Sequence, residues 1–340
     1  MIVLFGGAIV DRLPRRRVIL ATDLASGVVV GVVAVLGLTH HLQIGHLYAA
    51  SALFGVAFSF HQPAMSAIMP ELVPKDVLIA GNSLRSLGSQ MSHVLGPLAG
   101  GVVVTTAGPS AAFAIDAASF FFSFFVFFLS RPPVHEPPAP RPLLAQMREG
   151  VAFSFSKPWL WVAIVGFGIT NGFYFAAFTV ALPLLVTKVL MGGAITYGLL
   201  GAAGGVGELA AGFVVGNMKI RRMGIAMYVG NAVIGVSALA YGVPLLPVVL
   251  LGAAGFGAGI VASNTVWESS LQKHVPPSLI GRVTSVDYFG SFLVGPVAPI
   301  AAGVAVPVVG PGAIFVIGGV VSILLSVFAP LMSRSIRELE

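Results

Sequence analysis

No cysteine occurs among the 340 residues, which excludes disulfides, iron–sulfur ligation, thiolate zinc sites and thiol chemistry. Charge is nearly as scarce: Asp, Glu, Lys and Arg make up 9% of the chain, against about 25% in an ordinary soluble domain. A Gly-Lys-Ser/Thr phosphate loop is missing too, and neither a serine–histidine–acid arrangement nor a metal-ligand cluster can be assembled. The chain is therefore not read as an enzyme, and neither a cofactor nor a metal is expected. What is there is apolar: 57% of the residues are hydrophobic, with 42 glycines and 24 phenylalanines. That is the composition of an all-α polytopic membrane protein. The formal net charge of +6 sits in short clusters between apolar runs. Cytoplasmic loops look like this, so no nucleic-acid partner is expected.

Apolar stretches long enough to cross a bilayer lie near 18–38, 46–68, 83–105, 109–129, 159–187, 194–216, 224–243, 246–270, 283–306 and 309–331. A shorter run, "MIVLFGGAIV", precedes them; ten helical residues rise about 15 Å against a hydrocarbon core of about 30 Å. It lacks the basic start and small-residue cleavage site of a secretory signal and is read as the end of a helix. Of the 18 lysines and arginines, only Lys188 falls in a connection of the opposite set. The positive-inside rule then puts the remaining alternate loops, the central linker and the C-terminus in the cytoplasm. A multi-pass location in the cell (inner) membrane is expected.

The proline-rich stretch "RPPVHEPPAPRPLLAQMREG", residues 131–150, predicts an extended linker followed by a short amphipathic piece. It divides the chain into an N-terminal bundle (1–129), a linker (130–158) and a C-terminal bundle (159–340). The two halves repeat. "HQPAMSAIMPELVP" at 61 aligns with "SNTVWESSLQKHVP" at 263, an offset of 202 residues. "VDRLPRRR" at 10 falls over "GNMKIRRM" at 216, and "GPLAG" at 96 over "GPVAP" at 295, offsets of 206 and 199. Three pairs in one order predict a duplicated six-helix unit, a known route to transporter folds. On that count the first half lacks helix 1 and part of helix 2.

Residues 7–17, "GAIVDRLPRRR", place Gly7 four residues before Asp11, followed by Arg12, Arg15 and Arg16. This resembles the signature loop between helices 2 and 3 of the major facilitator superfamily, with Pro14 where glycine is usual. "SHVLGPLAGG", residues 92–101, is similar to a helix 5 signature found mostly in the exporters of that superfamily, carrying Gly96, Pro97, Gly100 and Gly101. Residues 266–287 strongly resemble the helix 10 to 11 connection of its drug and siderophore exporter branch, which includes macrolide and enterobactin efflux proteins. The resemblance implies two pseudo-symmetric six-helix bundles rocking about a midplane cavity. It makes the first loop a latch that favours one transporter state. A plain basic anchor is the alternative, although an anchor needs neither Gly7 nor Asp11. The glycines and proline of the exporter motif suit either a hinge or simple close packing.

Ionisable residues inside spans are costly and so are functional candidates. Glu208 lies near mid-span and is the first choice of proton carrier, with Asp116 and Glu268 as further candidates. Asp23, Glu268 and Asp287 lie near cytoplasmic ends, where pairing with Arg15, Lys273 or Arg282 is expected. Ser89, Gln90 and His93 share a polar stripe with Gly96 and Pro97, which reads as a cavity wall. His61 is central in its span. "GITNGFYF", residues 168–175, sets Asn171 and Tyr174 in what is expected to be a broken, glycine-flanked stretch. The expected function is proton-coupled efflux of hydrophobic or amphipathic small molecules by a monomer whose partners are lipid, cargo and protons. Proton-coupled uptake and a non-transporting truncated membrane protein are the alternatives.

Overall fold

Glycine and proline set the helix boundaries in the computed structural model, which describes residues 14–72, 78–130, 143–276 and 279–340. Gly108 and Gly310 both have positive φ, +85° and +82°, and each is followed by a proline that opens the next helix. Glycine takes the left-handed backbone without a Cβ clash, while proline is pre-set for the first helical turn. These two one-residue turns stand 202 positions apart, the spacing at which the longest internal repeat also aligns. No strand occurs among the described residues.

The helices are α1 (Arg15–Leu38), α2 (Ile44–Leu72), α3 (Leu78–Ala107), α4 (Pro109–Leu129), α5 (Leu143–Ser156) and α6 (Pro158–Ala176). α6 runs on through two π-helical turns, Ala177–Ala181 and Leu185–Val189. Then come α7 (Ala194–Gly216), α8 (Met223–Leu239), α9 (Leu246–His274), α10 (Ile280–Phe292), α11 (Ala298–Val309), α12 (Pro311–Met332) and the short α13 (Arg334–Arg337). Among the described residues, eight helices are long and apolar enough to cross a membrane. α3 has the length too, and its described stretch Leu95–Ala107 is apolar.

Two expectations are corrected. The span expected at 283–306 is two helices, α10 and α11, separated at residues 293–297. Pro296 and Pro299 stand three residues apart there, and each removes a backbone donor and crowds the preceding turn. The matching "GPLAG" of α3 has one proline, Pro97, and stays helical. The stretch 168–175 is unbroken α-helix; the irregular backbone lies just beyond it, in the π turns. Such turns in a membrane helix are a frequent mark of functional sites.

The described residues fall into two compact units, bounded as Met1–Ser89 with Val102–Arg141 and as Gln90–Gly101 with Pro142–Glu340. In the first, α1 packs on α2 and α4, with Ile19, Ala64 and Ile68 fully buried. In the second, glycines sit where helices cross. Gly207 faces the Ala254 carbonyl, Gly257 the Gly204 carbonyl, and Gly235 and Gly319 face one another. Lipid tails are as apolar as leucine, so close backbone approach and hydrogen bonds hold such helices together rather than the hydrophobic effect. The outer surface agrees: Phe122, Leu251 and Val308 are 71%, 75% and 84% exposed, a liability in water and the expected face toward lipid. Helix α5 docks within the second unit, where Glu149 pairs with Arg282 of α10 and Gly150 lies against the Arg282 backbone.

Candidate functional site

The second unit holds a cavity of about 870 Å³ walled by α6 to α10. That is the size of a drug-sized binding site. Nine of its lining residues are aromatic, three are carboxylic acids (Glu208, Glu268 and Asp287), and no lysine, arginine or histidine is among the described lining residues. The aromatic wall is built by α6 and α9. Tyr174 and Phe178 meet Phe256 edge-on, with ring centroids 4.8 and 4.9 Å apart, the geometry aromatic quadrupoles favour. Phe178 belongs to the first π turn, whose extra backbone residue shifts the side chains beyond it around the helix.

A buried hydrogen-bond network braces this wall. The Tyr174 hydroxyl donates to Ser322 Oγ at 2.6 Å. Asn231 Nδ2 donates to Ser326 Oγ at 2.9 Å and, more weakly, to the Ser322 carbonyl at 3.3 Å. Ser322 and Ser326 lie one helical turn apart on α12, so one polar stripe ties α6 and α8 to the same helix. Every partner is neutral, so the network stabilises the wall without burying charge.

Asp287 is held differently from the sequence expectation. Trp267 Nε1 donates to its Oδ2 at 2.9 Å and Ser291 Oγ to its Oδ1 at 3.1 Å, while Arg282 turns away to Glu149. The carboxylate thus has neutral donors in place of a cation. Trp267 is itself fixed by Trp159 and Phe167, at centroid distances of 5.9 and 6.0 Å. Glu268 is exposed and forms no ion pair with Lys273 among the described residues.

Asp23 is likewise not paired with Arg15. It is buried in the first unit, with His61 Nδ1 3.3 Å from its Oδ1 and Ser123 Oγ donating to its Oδ2 at 2.6 Å. Arg16 instead caps the end of α4 through the carbonyls of Phe127 and Phe128, at 2.9 and 2.6 Å, a favourable place for a cation at a helix C-terminus.

Of the sequence candidates, Asn171, Tyr174, Glu208 and Glu268 converge on the cavity. His61 does not join them and lies in the Asp23 cluster, while Asp116 is exposed on α4. Gly7, Asp11 and Arg12 lie outside the described residues, as do the side chains of Ser89, Gln90 and His93. In the exporter motif, Pro97 seats in a notch of α7: a Cβ on Gly198 would lie 2.5 Å from the Pro97 carbonyl oxygen. Gly101 makes a similar approach to Ala194, whereas Gly96 and Gly100 have open space beside them. Trp267 and Asn231 carry no sequence signal as site residues, because their partners are 20 and 95 positions away.

A family model described as the Major Facilitator Superfamily matches residues 1–299. The multidrug efflux pump Tap of Mycolicibacterium fortuitum is 28% identical over 359 aligned residues, covering 99% of this chain and 84% of that protein. The enterobactin exporter EntS of Citrobacter koseri is 28% identical, covering 86% and 72% respectively. Among solved structures, a POT family transporter in complex with a thioalcohol conjugated peptide superposes with a TM-score of 0.75 at 14% identity, over 98% of this chain and 86% of that one. At that identity the likeness establishes the fold alone.

Proposed function

Because the chain belongs to the Major Facilitator Superfamily, and is thus a multi-pass membrane transporter, we propose that it exports hydrophobic or amphipathic small molecules by alternating access in exchange for protons. The observation that carries this reading is the cavity of the second unit: a drug-sized, aromatic-walled space that holds three carboxyl groups and, among its described lining residues, no lysine, arginine or histidine. Aromatic faces take up flat apolar cargo, and Asn171 offers a polar contact for orientation. Glu208 is the proton carrier of this cavity. It lies on α7 beside the glycine crossing with α9, where its Cγ is 3.1 Å from the Cβ position of Gly257. A carboxyl group inside a membrane protein cycles between a neutral and a charged form, and cargo entry biases which is held. Similarity to the Tap and EntS proteins supports export over uptake. The linker and C-terminus are assigned to the cytoplasm, and one chain forms the working unit.

The test is proton-gradient collapse in inverted membrane vesicles on addition of a panel of lipophilic drugs. The wild type is expected to respond to members of the panel and Glu208→Gln to lose the response at unchanged expression. A gradient insensitive to every compound would sink proton-coupled drug export.

A further inference from the structure

The first unit contains a buried acid that the cavity chemistry does not use. Asp23 is 1% exposed and lies between α1, α2 and α4, with His61 on one side and Ser123 on the other. The tautomer of His61 follows from its neighbours. The hydroxyl of Thr22 has two backbone acceptors, the carbonyls of Val18 and Ile19 at 2.9 and 3.0 Å. Its oxygen, with the proton turned to the backbone, can then only accept from His61 Nδ1, which lies 3.1 Å away. A nitrogen set between that oxygen and the Asp23 carboxylate carries the hydrogen. The next proton therefore goes to Nε2.

The charge balance makes this a site and not a strut. With neutral imidazole the pair carries one negative charge in a membrane interior, and with a proton on Nε2 it is neutral overall. Among the described residues, no lysine or arginine forms an ion pair with Asp23. On the same helices Arg15, Arg16 and Arg17 occupy the first turn of α1, with Arg16 engaged at the end of α4. His46 is bound by the Gln43 amide at the start of α2, Asp116 is exposed on α4 two turns from Ser123, and the Glu71 side chain lies outside the described residues. Histidine is the side chain whose charge changes across the physiological range. The His61 side chain is 22% exposed where Asp23 is 1%, so the imidazole is the member of the pair that a proton can reach.

We propose that Asp23 and His61 form a second proton-binding site, in the first unit, which takes one proton onto His61 Nε2 and releases it in each transport cycle. Ser123 is a positioning residue that orients the carboxylate. The proposal rests on the reading of proton-coupled export given above.

Two measurements on the full chain test it. The first is nitrogen-15 histidine NMR in lipid nanodiscs, with the His61 signals identified by their loss in His61→Gln. Nδ1 is expected to stay protonated between about pH 5 and 8 while Nε2 gains a proton in one step. The midpoint of that step should move in Asp23→Asn and not in Ser119→Ala, whose hydroxyl serves only its own helix. A neutral imidazole protonated on Nε2, or a midpoint indifferent to Asp23→Asn, overturns the site. The second measurement uses proteoliposomes with ethidium as the cargo probe. Asp23→Asn should lose gradient-driven ethidium accumulation yet keep ethidium counterflow, which needs no net proton movement. Ser123→Ala, which leaves both titrating groups in place, should remain coupled with a displaced pH profile. Retained gradient-driven transport in Asp23→Asn, or an unmoved profile in Ser123→Ala, overturns the role in coupling. A wild type that moves no protons with ethidium sinks the proton-coupled reading itself, and the NMR result then decides whether the site exists.

Discussion

Asp287 and Trp267 illustrate how single residues set the chemistry of the cavity. The indole N–H is a fixed neutral donor on a carboxylate that has no basic partner among the described residues, and the ring around it is locked between Trp159 and Phe167. Trp267→Phe keeps the aromatic packing and removes only the donor. A partly buried carboxylate oxygen losing its partner costs about 1–3 kcal/mol, so the thermal midpoint of the detergent-solubilised protein should fall, and calorimetry of wild type against variant measures it. An unchanged midpoint would mean that water replaces the indole. That partnership could not be read along the chain: residue 287 sits on the helix after the one that carries residue 267, and the expected partner, Arg282, is captured by Glu149.

Between elements, the exporter motif works through shape. Pro97 of α3 rests on Gly198 and Gly201 of α7, and the nearest atom to a Cβ at residue 198 is a backbone carbonyl oxygen that cannot swing aside. Gly198→Val should therefore displace the pair and abolish cargo transport in reconstituted vesicles. Gly303→Ala, on a helix face with open space, should transport as wild type and gain up to about 1 kcal/mol from helix propensity. Proline and glycine were visible in the sequence as a motif, but which glycine mattered was not. Gly96 and Gly100 belong to the motif but have open space where a Cβ would stand among the described residues, while Gly198, outside it, receives the proline. The broken span at residues 293–297 has a simpler origin, since a second proline three residues after the first was legible and its effect is local.

For the molecule as a whole, the absence of cysteine turns into a tool. Single cysteines placed at exposed ends of loops report sidedness with no background from native thiols. His41→Cys, between α1 and α2, should react with an impermeant maleimide in intact cells. Glu340→Cys, at the C-terminus, should react only in inverted vesicles. The opposite pattern would reverse the positive-inside assignment.

The amino-acid sequence by itself determined that this chain is helical and lives in lipid, that it repeats at a spacing near 202 residues, and that it is a major facilitator transporter. Those features depend on composition, local periodicity and turn chemistry, which act over a few residues at a time. Gly108 and Gly310 show the limit of such rules at their best, because a glycine followed by proline dictates its own turn. Only the tertiary structure decided which polar groups meet. Asp23 found His61 and Ser123, Asp287 found Trp267, and Asn171, Tyr174, Glu208 and Glu268 came to share one cavity. In a membrane interior a polar side chain must find a partner across helices, and the identity of that partner is settled by helix rotation and crossing, which no local pattern encodes.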